Sequence, residues 1–193
     1  MSPFESIRFV SFFREIAMHS VRFLSFGVAL MLGAVAPGVG TASAQADERC
    51  GGVAFAQNMV DAHNKFRTSH GSPPLVLDDR VSGFAQDYAN KLASSNTFKH
   101  SGGPYGENLY MAEGMEVAGA TAVDDWYAEI KDYNFSKPGF DEKTGHFTQV
   151  VWKSSNQIGV GVACKGSTTY VVANYNPPGN YDGEFPQNVL RAS

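Results

Sequence analysis

His100, Glu107, Glu129 and His146 are the residues of this chain whose types and surroundings suit chemistry. His100 heads a loop running through Ser101-Gly102-Gly103-Pro104-Tyr105-Gly106 to Glu107-Asn108-Leu109. Its three glycines and proline permit turns that other residues resist. Glu129 follows Trp126 by about one helical turn and borders an apolar stripe, so it can point inward. His146 comes after Gly145 and opens a run, His146 to Trp152, whose alternation predicts a strand. On that strand the imidazole shares a face with Thr148 and Val150.

Two imidazoles and two carboxylates suit zinc or another divalent cation of borderline character, with nitrogen and oxygen ligands and room for water. The same set could do acid-base work, a glutamate activating water and a histidine shuttling protons. Against both stands a plain alternative, in which each glutamate only caps or pairs and each histidine only hydrogen-bonds. No HExxH, GxSxG or GxxxxGK[ST] occurs, so no local motif decides between them. The other histidines ask for less. His63 lies on an apolar helical stripe and reads as a satisfied core or helix-surface residue rather than a ligand; His70 sits at a helix end, where a cation is favourable.

The elements that must position these residues run helices first, strands last. Phe55, Met59, His63 and Phe66 predict a first helix ending near His70-Gly71, before Ser72-Pro73-Pro74. Asp78 or Asp79 can cap a second, with Val81, Phe84, Ala85, Tyr88, Ala89 and Leu92 as its stripe. A third, about 117–132, carries Ala120, Val123, Trp126, Tyr127 and Ile130. Besides the run from His146, alternation over 158–164 and 169–175 predicts two further strands joined by short polar turns. The expected class is α+β, helices flanking a small antiparallel sheet.

The 193 residues are 43% hydrophobic and 12% aromatic, enough for a core and too much for a disordered chain. A net charge of -4 and a pI near 5.7 exclude a phosphate-neutralising basic face, so no nucleic-acid partner is expected. Residues 1–46 read as a secretory signal peptide. His19 and Arg22 precede the uncharged apolar run from Phe23 to Ala36, and Ala42-Ser43-Ala44 or Ala44-Gln45-Ala46 offers a cleavage site; Met18 is a candidate true start. The run is shorter than the ~20 residues of a membrane span, so no stable span is expected. Residues 47–54 form an N-terminal arm, 55–189 the domain and 190–193 a short tail. Export places Cys50 and Cys164 where a disulfide can persist; they could pair or stay apart, and spacing leaves both open.

Gly145-His146-Phe147-Thr148-Gln149-Val150-Val151-Trp152-Lys153-Ser154-Ser155 resembles the signature of the CAP superfamily, which includes cysteine-rich secretory proteins, insect venom allergens and plant class-one pathogenesis-related proteins. Val171 to Tyr181 resembles its second signature. His100-Ser101-Gly102, Gly106-Glu107-Asn108-Leu109, the Trp126-to-Glu129 helix and Ala62 to Arg67 match further elements, over about residues 55–189. The resemblance implies a three-layer α-β-α sandwich (the SCP domain). Its central cleft would hold His100, Glu107, Glu129 and His146 around Zn2+ or another divalent cation, the imidazoles as principal ligands. It implies no general catalytic activity. Tyr133, Phe135, Pro138 and Phe140 lie in a loop that most resembles fungal, yeast-type members that bind and export sterols. Aromatic rings there offer flat apolar surface to a steroid, or simply pack the loop onto the sheet. The chain departs from the family in having Ala173 where the second signature normally has cysteine, which leaves Cys164 without its expected neighbour, and Gln187 where plant members have tyrosine. No cysteine-rich module is expected after Ser193.

Three functions follow in order of expectation. The first is a secreted protein binding a sterol or other small lipid, in export, host interaction or defence. The second is a module for an extracellular protein partner, free or at a cell wall. The third is a hydrolase with zinc on His100 and His146 and Glu107 or Glu129 as base.

Overall fold

The computed structural model describes Phe9–Val10, Cys50–Gly51 and residues 54–193. The signal-peptide reading of residues 1–46 lies outside the described residues, apart from the two-residue strand β1 (Phe9–Val10). The remaining strands are β2 (Val76–Leu77), β3 (Gly106–Glu113), β4 (Gln157–Lys165) and β5 (Thr168–Asn176), in the spatial order β1-β3-β5-β4-β2. The three long strands are antiparallel neighbours, and the short ones add in parallel at the two edges. The β4–β5 hairpin is the one expected. Lys165 pairs with Thr168 across Gly166-Ser167, with Gly166 at φ +62°.

Helix α1 (Phe55–Ser69) buries Phe55, Met59, Val60, His63 and Arg67 along one stripe. Helix α2 (Asp79–Ser95) starts where the Asp78 carboxylate accepts the Val81 N–H at 2.9 Å, and ends at Asn96 in the left-handed region. Helix α3 (Gly119–Tyr127) tightens into a 3-10 turn over Ala128–Asp132, so the single helix expected over 117–132 is a composite. Helix α4 (Gly145–Val151) replaces the strand expected there, and a short α5 (Phe185–Asn188) follows β5. Strand β3 begins within the stretch whose glycines and proline point in the sequence to a loop through Leu109.

The sheet is the middle of three layers. Leu109, Tyr170 and Val172 face Ala85, Tyr88, Ala89 and Leu92 of α2. Tyr110, Val171, Ala173 and Tyr175 face the other way, into the larger core with Met59, Trp126 and Phe147. Two glycines let α2 lie close on the sheet. A Cβ on Gly159 would stand 2.1 Å from the Val81 carbonyl carbon, and one on Gly161 2.3 Å from that of Ala85. At this distance α2 also serves the outer edge of β4. Ser82 Oγ accepts the Val160 N–H, while the Gln86 amide accepts the Val162 N–H at 3.0 Å and donates to the Val162 carbonyl at 2.8 Å. Cys164, next outward position on the strand, forms a disulfide with Cys50. The partner missing at Ala173 is therefore supplied by the arm.

Arg67 fixes α4. It is fully buried and donates to the carbonyls of Pro73, Val150, Trp152 and Ser155 at 2.7–3.0 Å. Burial lowers its pKa to about 10, so it stays charged at neutral pH.

Candidate functional site

Helix α4 explains how His146 is aimed. All seven of its residues are buried, so it has no polar face and no helical period to betray it. Its ends are satisfied from far away in sequence, as helix ends must be. At the start, Glu129 Oε2 accepts the N–H groups of His146 and Phe147, both at 3.1 Å. At the finish, Arg67 takes two carbonyls and the Ser72 hydroxyl donates to a third, that of Val151.

Glu129 is 1% exposed, turned inward by the 3-10 segment. Its other oxygen lies 2.9 Å from His146 Nδ1. A carboxylate accepts, so Nδ1 carries the proton and donates. The ring lies nearly parallel to Trp126, centroids 6.1 Å apart, and its Nε2 is buried with no hydrogen-bond partner. His100 repeats the arrangement nearer the surface. Its Nδ1–H donates to Glu107 Oε1 at 2.9 Å, beside the Ser101 N–H at 2.8 Å. Glu107 Oε2 accepts from the Asn174 amide at 3.3 Å. Burial alone would raise the Glu107 pKa, but the bonds from His100 and Ser101 outweigh it and hold the carboxyl below its usual range.

The four residues singled out in the sequence thus form two histidine–glutamate pairs. Among the described residues no three of His, Cys, Asp and Glu gather so as to hold an ion. The donor set fits a cation in a narrower sense than a four-ligand cage. Each glutamate stands behind its imidazole, the usual partner of a metal-ligating histidine, and Nε2 is left as the donor atom.

The sequence reading missed the second tier around these pairs. Asn108 donates to the His146 carbonyl at 3.1 Å, Trp126 Nε1 donates to the Leu109 carbonyl at 3.2 Å, and Asn174 steadies Glu107. Asn108 and Leu109 directly follow Glu107, and strand alternation would have flagged Asn108 had β3 been recognised. His63 is the satisfied core histidine expected: it lies 2.8 Å from the Met59 carbonyl and 2.7 Å from the Tyr175 hydroxyl. His70 differs from expectation. It is buried, bonded to the Leu190 carbonyl and the Tyr127 hydroxyl, and burial lowers its pKa, so it is no helix-end cation.

In the aromatic loop, Tyr133 packs edge-on to Phe135 at 4.8 Å, and both approach Phe147 of α4. The Arg191 guanidinium lies 4.9 Å from the Phe135 ring centre. Pro138 is half-buried, and Phe140 borders an open depression of about 400 Å³ with Asp141, Glu142 and Lys143. The loop packs onto a helix rather than the sheet. Among the described residues no helix is long and apolar enough to cross a membrane.

The layers define a three-layer α-β-α sandwich that carries two histidine–glutamate pairs. The family described as CAP, the cysteine-rich secretory protein family, matches residues 60–175, and the chain belongs to it. Human Golgi-associated plant pathogenesis-related protein 1 is 44% identical over 143 residues, 70% of this chain and 92% of the relative. Protein PRY2 of Saccharomyces cerevisiae is 42% identical over 139 residues, and there the chain spans only 41% of the relative's length. Among solved structures, that of NaASP2 with Zn2+ superposes with a TM-score of 0.61 at 22% identity, covering 76% of this chain and 90% of that one; it attests the fold.

Proposed function

We propose that the chain is an exported, non-catalytic binding protein whose cleft takes a divalent cation, zinc by donor type, on Nε2 of His100 and His146. The observation that carries this reading is the buried His146 Nε2, left without a partner while Nδ1 is held by Glu129. An unpaired buried acceptor costs about 1–3 kcal/mol, which a bound cation relieves. Both carboxylates are committed: Glu129 to one imidazole and two backbone N–H groups, Glu107 to His100, Ser101 and Asn174. Neither stands ready to activate water, which favours binding over hydrolysis. Export rests on the leader pattern.

Titration calorimetry of the purified protein with zinc alone is expected to show saturable binding that His146→Ala abolishes. Glu129→Gln should weaken it by about 10–100-fold through lost orientation of the ring. Equal zinc uptake by a His100→Ala/His146→Ala double variant would sink the reading.

The depression beside Phe140 favours a second, compatible reading, in which a small lipid with a polar end, such as a sterol, docks there. Its volume falls in the range of small-ligand sites, and its charged rim offers partners to a hydroxyl. A fluorescent sterol should bind saturably, and Phe140→Ala should weaken it about tenfold or more, the worth of one buried ring's apolar surface. Unchanged binding in that variant places the lipid elsewhere, and no saturable binding by the parent rejects the reading.

A further inference from the structure

We propose that Asn108 is the positioning residue joining the two histidine–glutamate pairs, fixing His146 to the strand that carries Glu107; this rests on the cation reading above. Neighbouring side chains on a strand point to opposite faces. β3 therefore presents Glu107 to His100 and Asn108 to α4. Asn108 is 2% exposed, and its amide nitrogen donates twice, to the His146 carbonyl at 3.1 Å and to the Tyr175 hydroxyl oxygen at 3.2 Å. A carbonyl can only accept, so the orientation of the amide is fixed.

The support behind Asn108 is equally directional. The Met59 carbonyl takes the His63 Nδ1–H, which leaves His63 Nε2 to accept from the Tyr175 hydroxyl. Tyr175 can then only accept from Asn108, so each hydrogen bond in this relay has one direction. The next residue along β3, Leu109, receives the indole N–H of Trp126, the ring that lies against His146. His146 is thus held to β3 through its carbonyl by Asn108 and through its ring by Trp126, while His100 is held by Glu107. One strand sets both imidazoles. Asn108 touches no ion; its influence passes through His146.

The test compares Asn108→Asp, which keeps the shape but removes both N–H donors, with Tyr175→Phe, which cuts the relay and spares the bond to His146. Readouts are zinc affinity by calorimetry, thermal midpoint, and the His146 Nδ1–H proton resonance of the metal-free protein. Asn108→Asp is expected to weaken zinc about tenfold and to shift or broaden that resonance. Tyr175→Phe is expected to lower the thermal midpoint while keeping the parent's zinc affinity. Parent-like zinc affinity and resonance in Asn108→Asp overturn the proposal, as does loss of zinc affinity in both variants in step with stability. If the parent binds no zinc, the cation reading fails and the resonance alone decides: unchanged in Asn108→Asp, it overturns the positioning role. Should that variant not fold, Asn108→Ser carries the same readouts without adding charge.

Discussion

Gly159→Ala is expected to destabilise the protein by about 3 kcal/mol or more, a loss of roughly 6–12 °C in thermal midpoint for a chain of this size. The new methyl would stand 2.1 Å from the Val81 carbonyl carbon and 2.3 Å from the Ser82 nitrogen. Both are helix backbone atoms, which cannot rotate aside as a side chain does. Carbon atoms settle at about 3.5–4.0 Å, so α2 would have to lift by more than an ångström along its first turns. Such a shift strains the Ser82 and Gln86 bonds to β4 and opens the layer formed with Leu92 and Tyr170. Gly83→Ala is the internal control. It lies on the same helix with nothing within 4 Å of its added Cβ, and should stabilise by about 0.5–1 kcal/mol through helix propensity. Urea unfolding of the two variants checks the pair; a Gly159→Ala protein as stable as its parent would refute the close approach.

Acid should unfold this protein through His63. Burial lowers the pKa of its ring from the ordinary 6.5 to about 3; the Met59 carbonyl pulls upward, and the Arg67 charge adds to the lowering. Between those values the unfolded chain binds a proton that the native state refuses, so stability rises with pH. The stabilisation is complete above about pH 6.5 and is lost as pH falls towards 3, a span on the order of 5 kcal/mol. Glu107 acts with the same sign at the lower end: its depressed pKa contributes stability above the ordinary carboxylate range, lost as pH falls through its native value. Urea midpoints from pH 7 to 4 are expected to fall steeply in the parent. In His63→Gln they should start lower and decline more gently, with one proton fewer in the slope. Identical slopes in the two proteins would assign the acid sensitivity elsewhere.

Much of the framework is legible because it is locally periodic. Helices α1 and α2 carry their stripes and stops in consecutive residues, and β4 and β5 alternate on either side of a glycine turn. Helix α4 could not be read that way. Its β-branched, alternating residues look like a strand, and what makes them helical is the Glu129 carboxylate at one end and Arg67 at the other. Both lie more than a dozen residues away, so no window around His146 contains the cause. The candidate site shows the same division. The four chemical residues stood out by type as well as by family pattern, whereas Asn108, Trp126 and Asn174 share the pattern but show their contacts with the pairs only once the strands and α3 are packed together. Cys50 and Cys164 were undecidable for a similar reason, since only the path of the arm places them together, with Cα atoms 5.7 Å apart.

The outer side of β4 has a consequence for how copies of this protein meet. An uncovered strand edge is a template on which another chain can grow into aggregate. Along β4 the outward backbone positions are taken at Ile158 by β2, at Val160 by the Ser82 hydroxyl and at Val162 by the Gln86 amide, and the Cys164 side chain tethers the arm just beyond them. Gln86 stands in for a strand, offering one acceptor and one donor where a neighbouring backbone would place its own. A second molecule finds no run of open peptide groups over residues 158–162 to copy.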